Sequence, residues 1–241
     1  MSDLLPPGPV VGVIGDGLAG SVLALCLARR GARVRLIGVE GAMATALSYG
    51  ALPRGAPSRA WRRLEQLHGP LGWRPSGLVV HDQGTGPGRG LAALSRLVPL
   101  PLARVDTPAF LAGRRQALAA AGVQQVVGRV SGLGARPGGG WRLEGSGSVG
   151  GGADLEADAV VLAAGAGARA LWPGLPGRLR HSWAGVLHLE TLAGAGGGAD
   201  RWLDQARRGR IVQPRRWRRP ALEAASAKST EPLWVVDAGL A

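Results

Sequence analysis

The sequence predicts an α/β fold, and three stretches predict it. Residues 10–14 (VVGVI) form a short β-branched apolar run, the pattern of a strand buried on both faces. A glycine-rich turn and a helix-patterned segment follow at once, and 33–37 (RVRLI) alternates as a second strand, so 10–37 reads as one βαβ unit. Residues 159–163 (AVVLA) repeat the buried-strand pattern and end in Gly165-Ala166-Gly167. With 46% hydrophobic residues in 241, the chain can bury the core of one large domain or two modest ones.

Each element has its own signal. Segment 18–30 is predicted helical, with Leu18, Val22, Leu25, Cys26 and Arg29 on one face and Gly31 at the C-terminal cap. Residues 44–52 (ATALSYGAL) read as a small-residue loop or helix start. Residues 59–68 carry Trp61, Leu64 and Leu67 at helical spacing, and 72–80 read as a turn into a strand. Asp106 or Thr107 is placed to cap the next helix, with Pro108 in its first turn and Gly122 after its end. Its expected buried face is Phe110, Leu111, Ala117, Leu118 and Ala121. Residues 123–130 (VQQVVGRV) read as a strand, and 141–144 and 154–156 as two short antiparallel strands. Further strands are expected at 183–189 and 233–237, with a glycine-rich loop at 193–199 between them.

Composition narrows the function. The net charge is +13, from 29 basic and 16 acidic residues, and Lys228 is the sole lysine. Such a charge permits binding to nucleic acid or anionic lipid. The arginines are scattered, however, and the Arg-for-Lys skew reads as codon bias as much as function. The dense run 207–219 (RRGRIVQPRRWRR), with Trp217, could stack on bases and contact phosphates. It reads better as a surface loop or strand pair, so nucleic acid is the disfavoured partner. One cysteine, Cys26, excludes an intramolecular disulfide and multi-cysteine metal sites. His68, His81, His181 and His188 lack metal-ligand spacing, so no metal is expected. No apolar run is long enough to span a bilayer, and the N-terminus lacks the pattern of a secretory signal. The expected compartment is the cytoplasm.

The motif that carries chemistry is Gly15-Asp16-Gly17-Leu18-Ala19-Gly20. It follows a strand and opens a helix, the setting in which G-x-G-x-x-G binds a dinucleotide. Gly15 makes the tight turn, Gly17 bares the backbone to a pyrophosphate, and Gly20 lets the helix approach the sheet. The helix N-terminus, through Leu18 and Ala19, offers N–H groups and a positive dipole end. An acid should close the second strand and hold the ribose hydroxyls. That position is Gly38, and the nearest acid is Glu40. Either Glu40 acts from two residues further on, or the ribose is held differently.

The run 13–38 (VIGDGLAGSVLALCLARRGARVRLIG) resembles the N-terminal signature of FAD-dependent oxidoreductases of the D-amino-acid oxidase, glycine oxidase and sarcosine oxidase type. Three more segments resemble that family in the expected order. Residues 44–52 resemble the stretch along the pyrophosphate and flavin, which implicates Thr45, Ser48 and Gly50. Residues 123–130 resemble the strand whose backbone clasps adenine, through Val130. Residues 157–169 (ADAVVLAAGAGAR) resemble the second FAD-contacting segment, which implicates Ala163, Ala164 and Gly165.

The resemblance implies FAD as cofactor and a Rossmann-like FAD-binding domain with a β-meander crossover. It also implies a smaller, discontinuous antiparallel-sheet substrate domain. The expected division is 8–57 and 89–172 for the FAD domain, and 58–88 and 173–236 for the substrate segments. Family chains are longer, and 235–241 resembles the strand before their closing segment. The expectation is therefore a fold incomplete at the C-terminus, its closing piece missing or on a separate chain. The implied reaction is oxidation of a C–N bond in a small amine or amino acid, by hydride transfer to the flavin. Arg180 and His181 are the candidates on the substrate side; catalytic residues are otherwise unassigned. The competing readings are a non-catalytic or degraded FAD-binding remnant and a basic nucleic-acid-binding protein. Absence of a downstream reading frame with the family's closing glycine-rich segment would favour the remnant. Salt-sensitive retention of DNA or RNA without flavin would mark the second.

Overall fold

The computed structural model describes residues 8–39, 44–48, 50–81, 94, 100–147, 155–176, 205 and 208–214. In chain order its elements are β1 (Val10–Ile14), α1 (Leu18–Arg29), β2 (Arg33–Gly38), β3 (Ala51–Pro53), α2 (Ala56–His68), β4 (Trp73–His81) and β5 (Leu100–Val105). They continue with α3 (Thr107–Ala120), β6 (Gln124–Ala135), β7 (Trp141–Gly147), β8 (Leu155–Ala157), β9 (Ala159–Leu162), a 3-10 turn (Gly165–Gly167), α4 (Ala168–Leu171) and β10 (Ile211–Pro214). The chain divides into two compact units. The first takes in the described residues of Met1–Gly50, Trp61–Gly72 and Asp106–Leu179; the second takes in those of Ala51–Ala60, Trp73–Val105 and Arg180–Ala241.

The first unit is built on a six-stranded sheet in the order β8-β7-β6-β2-β1-β9. β1 pairs in parallel with β2 on one side and β9 on the other; β9, expected to be buried, is half-buried with Ala159 exposed. Val11, Val13 and Ile14 are buried, each worth about 1.5–3 kcal/mol of transfer free energy. β6 does two jobs. Its first residues pair in parallel with β2, from Arg35↔Gln124 to Gly38↔Val127. Its later residues pair antiparallel with β7, after a register shift between Val130 and Gly132. A bulge of this kind bends a strand and increases its twist. β7 then pairs antiparallel with β8, which completes the expected β-meander.

The helices show where local pattern and packing part. α1 ends as predicted, at an Arg30 cap followed by Gly31 with φ +86°. Its buried residues are Gly20, Ser21, Ala24 and Leu25; of the expected face of Leu18, Val22, Leu25, Cys26 and Arg29, only Leu25 is fully buried. Arg29 is exposed and Cys26 only half-buried. The small side chains face inward because they let the helix axis approach the sheet closely. α3 is capped by Asp106, whose carboxylate accepts the Ala109 N–H at 3.2 Å. Its buried face is Thr107, Phe110, Arg114, Ala117 and Leu118. Leu111 and Ala121, expected on that face, are half-buried, while Arg114 is inside. Phe110 meets Trp61 of α2 with ring centroids 5.8 Å apart.

The second unit is built on a four-stranded sheet in the order β10-β4-β5-β3. β3, β5 and β4 pair antiparallel, the arrangement the resemblance implies. β10 adds to β4 in parallel and makes the sheet mixed. β10 lies inside the arginine-rich run, so its 211–214 stretch is a sheet strand. β3 and β5 had no strand signal, and β3 falls in the segment read as loop or helix start. The expected strands at 183–189 and 233–237, the loop at 193–199, and Trp217 lie outside the described residues.

Candidate cofactor site

The first unit gathers its candidate groups at the C-terminal ends of β1, β2 and β9. The turn after β1 is tied to both neighbours: Gly15 N–H donates to the Ile37 carbonyl at 2.8 Å, and Ala163 N–H donates to the Ile14 carbonyl at 2.8 Å. Gly15 has φ +108°, a backbone that L side chains rarely adopt, and a Cβ there would overlap the Ala163 carbonyl. A Cβ at Gly20 would overlap the Gly15 carbonyl and come within 3.2 Å of the Ala163 Cβ. The first and third glycines therefore hold α1 against the turn and against the end of β9.

Gly17 differs. A Cβ there would meet only the Thr45 Oγ1, at 3.2 Å, so the space over the first turn of α1 is open among the described residues. Gly17 is the N-cap and makes no side-chain cap bond, and no acid occupies the first turn. Leu18 N–H donates to Thr45 Oγ1 at 3.0 Å, which places that hydroxyl at the helix N-terminus. These features fit a dinucleotide diphosphate: bare backbone, a positive helix end and a neutral hydroxyl beside it.

The other predicted residues fall as follows. Ser48 follows the Thr45 turn, and its Oγ accepts the Gly50 N–H at 3.1 Å. The Ser48 carbonyl accepts the Thr107 hydroxyl at 3.1 Å, which pins this segment to the start of α3. Ala163 and Ala164 continue β9 against Gly15, and Gly165 opens the 3-10 turn with φ +56°. Val130 stands at the β6 bulge and packs on the cluster of Ile14, Ile37, Leu143 and Ala157. Ala19 is exposed on the first turn of α1. Glu40, Arg180 and His181 lie outside the described residues.

Two residues were missed. Arg114, on α3, donates through Nη2 to Asp16 Oδ2 at 2.9 Å and through Nη1 to the Asp16 carbonyl and to Ser21 Oγ, the latter at 3.2 Å. Ser21 in turn donates to the Asp16 carbonyl at 2.9 Å. The Arg114 side chain is 6% exposed and that of Asp16 25%. Asp16 Cγ lies 2.1 Å from where a Cβ of residue 38 would be, so a side chain at the end of β2 would have to displace the Asp16 carboxylate. The available signal was an arginine four residues after Phe110 on an apolar helix face, where a buried cation demands a partner.

His68, at the end of α2, is held below its ordinary 6.5, first by burial and then by the Arg29 cation. Among the described residues, no cluster of His, Cys, Asp and Glu could hold a metal ion. Among the same residues, no helix is long and apolar enough to cross a membrane.

Comparison with curated proteins returned no match. Among solved structures, glycine oxidase from Bacillus cereus ATCC 14579 aligns with a TM-score of 0.53 and 16% identity, over 68% of this chain and 57% of that one. L-amino acid deaminase from Proteus vulgaris, lacking its specific insertion, aligns with a TM-score of 0.53 and 16% identity, over 71% and 57%. NikD, an unusual amino acid oxidase of nikkomycin biosynthesis, aligns with a TM-score of 0.50 and 18% identity, over 70% and 54%. These similarities show a shared fold. The chain spans between 54% and 57% of the length of these three structures. The family description FAD dependent oxidoreductase (DAO) matches residues 95–227, more than half of the chain and wholly outside the glycine motif. Two separate stretches thus point the same way, and the chain belongs to the DAO family of FAD dependent oxidoreductases.

Proposed function

We propose that the first unit binds FAD along the C-terminal ends of β1, β2 and β9, and that the protein oxidises the C–N bond of a small amine or amino acid. One observation carries the cofactor half: the open backbone at Gly17 beside the Thr45 hydroxyl, with the Ala163–Ala164 end of β9 against Gly15. In this reading the α1 N-terminus and the Thr45 hydroxyl receive the diphosphate. Ser48 and Gly50 line the path toward the flavin, Ala163, Ala164 and Gly165 border it, and the Val130 backbone meets the adenine. Bound FAD would supply a two-electron acceptor for hydride from the carbon next to nitrogen, and the resulting imine would hydrolyse in water. The protein orients both partners and excludes bulk water. The substrate class is supported by family membership. Arg180 and His181 stay proposals for the substrate side, and the four-stranded sheet is proposed as the scaffold of that side. The cytoplasm is the proposed compartment, in keeping with a single cysteine.

The test is a visible absorption spectrum of the purified chain, before and after addition of FAD and gel filtration. Retained flavin bands are expected, and bleaching by an amine or amino acid under anaerobic conditions would follow. Gly17→Val should abolish retention with the melting curve unchanged. A folded chain that stays colourless would overturn the reading.

A further inference from the structure

We infer that the acid for the adenosine ribose is Asp16 on the β1–α1 turn, and that it replaces the acid normally carried at the end of β2. The inference rests on the FAD reading above. Dinucleotide sites of this type place a carboxylate at the end of the second strand to bind ribose hydroxyls. Here that position is Gly38, and a carboxylate nonetheless stands there. Asp16 Cγ occupies the space of a residue-38 Cβ, and Oδ1 lies 2.5 Å from that point. A side chain at 38 and the present Asp16 rotamer exclude each other. The two positions share one carboxylate site, filled from the turn instead of the strand.

Arg114 makes the arrangement workable. Its guanidinium holds Oδ2 and the Asp16 carbonyl, fixes the rotamer, and leaves Oδ1 over the strand end. It also balances the negative charge beside the proposed diphosphate. A carboxylate accepts hydrogen bonds from ribose hydroxyls and repels a 2′-phosphate. The site should therefore favour an unphosphorylated adenosine ribose.

The test uses competition against FAD, read by flavin fluorescence, with ADP and 2′-deoxy-ADP as probes. The wild-type chain should prefer ADP by about tenfold, the worth of a hydrogen bond to a charged group. Asp16→Ala should bind both probes equally. The double variant D16A/G38E should regain the preference, because the carboxylate returns from the strand. Gly38→Ala keeps the counter-ion of Arg114 but displaces the carboxylate, and should lower the preference to about twofold; it serves if D16A does not fold. A purely structural Asp16 would alter melting without altering the ADP to 2′-deoxy-ADP ratio. Equal binding of the two probes by the wild type, or a preference retained in D16A, overturns the inference and leaves the FAD reading standing. A chain that binds neither FAD nor ADP overturns both.

Discussion

The two sheets solve the same packing problem with opposite backbones. No strand of the six-stranded sheet contains proline, whereas every strand of the four-stranded sheet does: Pro53, Pro75, Pro101 and Pro214. The ladders explain how that is tolerated. Pro53 and Pro214 sit in the outer strands β3 and β10. Pro75 faces β5, but β10 pairs only with Leu78 to His81, so among the described residues Pro75 has no paired strand on its other side. Pro101 pairs with Gly77 of β4, and β3 reaches only Leu102 to Arg104. Among the described residues each proline thus has a strand on one side only, the setting in which a sheet tolerates proline. In contrast, β1 is bonded on both sides from Val11 to Ile14 and can spare no donor. Burial follows suit, with Val13 fully buried between Leu36 and Val161.

The sharpest way to break this contrast is to give the first sheet what the second accepts. Val13→Pro removes a ladder donor and a buried side chain at once. It should cost about 4 kcal/mol or more and leave the first unit unfolded by circular dichroism. A smaller loss is expected where the first unit depends on charge. Asp16→Ala strands the Arg114 guanidinium in the interior and should cost about 3 kcal/mol in denaturant unfolding. Asp16→Asn, which keeps an oxygen for Arg114, should cost less.

A milder effect belongs to His68. Its folded-state pKa is lowered, so the unfolded chain binds the proton first as pH falls. The stability tied to neutral His68 is complete above its ordinary 6.5 and declines as pH drops through 6.5 toward the lowered value. Melting temperature should fall as pH drops below about 6.5, and His68→Gln should flatten that part of the profile. The smallest change is expected in the second sheet. Pro75→Val meets no second strand among the described residues and should shift stability by less than about 1 kcal/mol. A large gain would mean that proline strains that strand.

The same contrast explains what could be read in advance. β1 and β9 announce themselves as short continuous apolar runs, and β2 by its alternation. β3 and β5 do not, since ALP and LPLARV are short, proline-bearing and without clean alternation. Gly31 and Asp106 were legible as caps because capping is local chemistry. The inward face of α1 was not, because hydrophobicity marks Val22 and Leu18, while close approach to the sheet selects Gly20, Ser21 and Ala24.

The candidate site divides along that line too. Gly15, Gly17 and Gly20 stand in one short stretch, and their spacing already encodes a strand, a tight turn and a helix start. Everything needed to read them lies within a few residues, so the sequence by itself determined the turn and the family resemblance built on it. Asp16 and Gly38 look like an ordinary turn residue and a missing acid until β2 is laid beside β1. Arg114, 98 residues from Asp16, looks like one of many arginines until α3 buries it. Only the tertiary structure decided where the carboxylate stands and what holds it. A buried charge is placed by the partner that packing brings to it, and no local pattern records that partner.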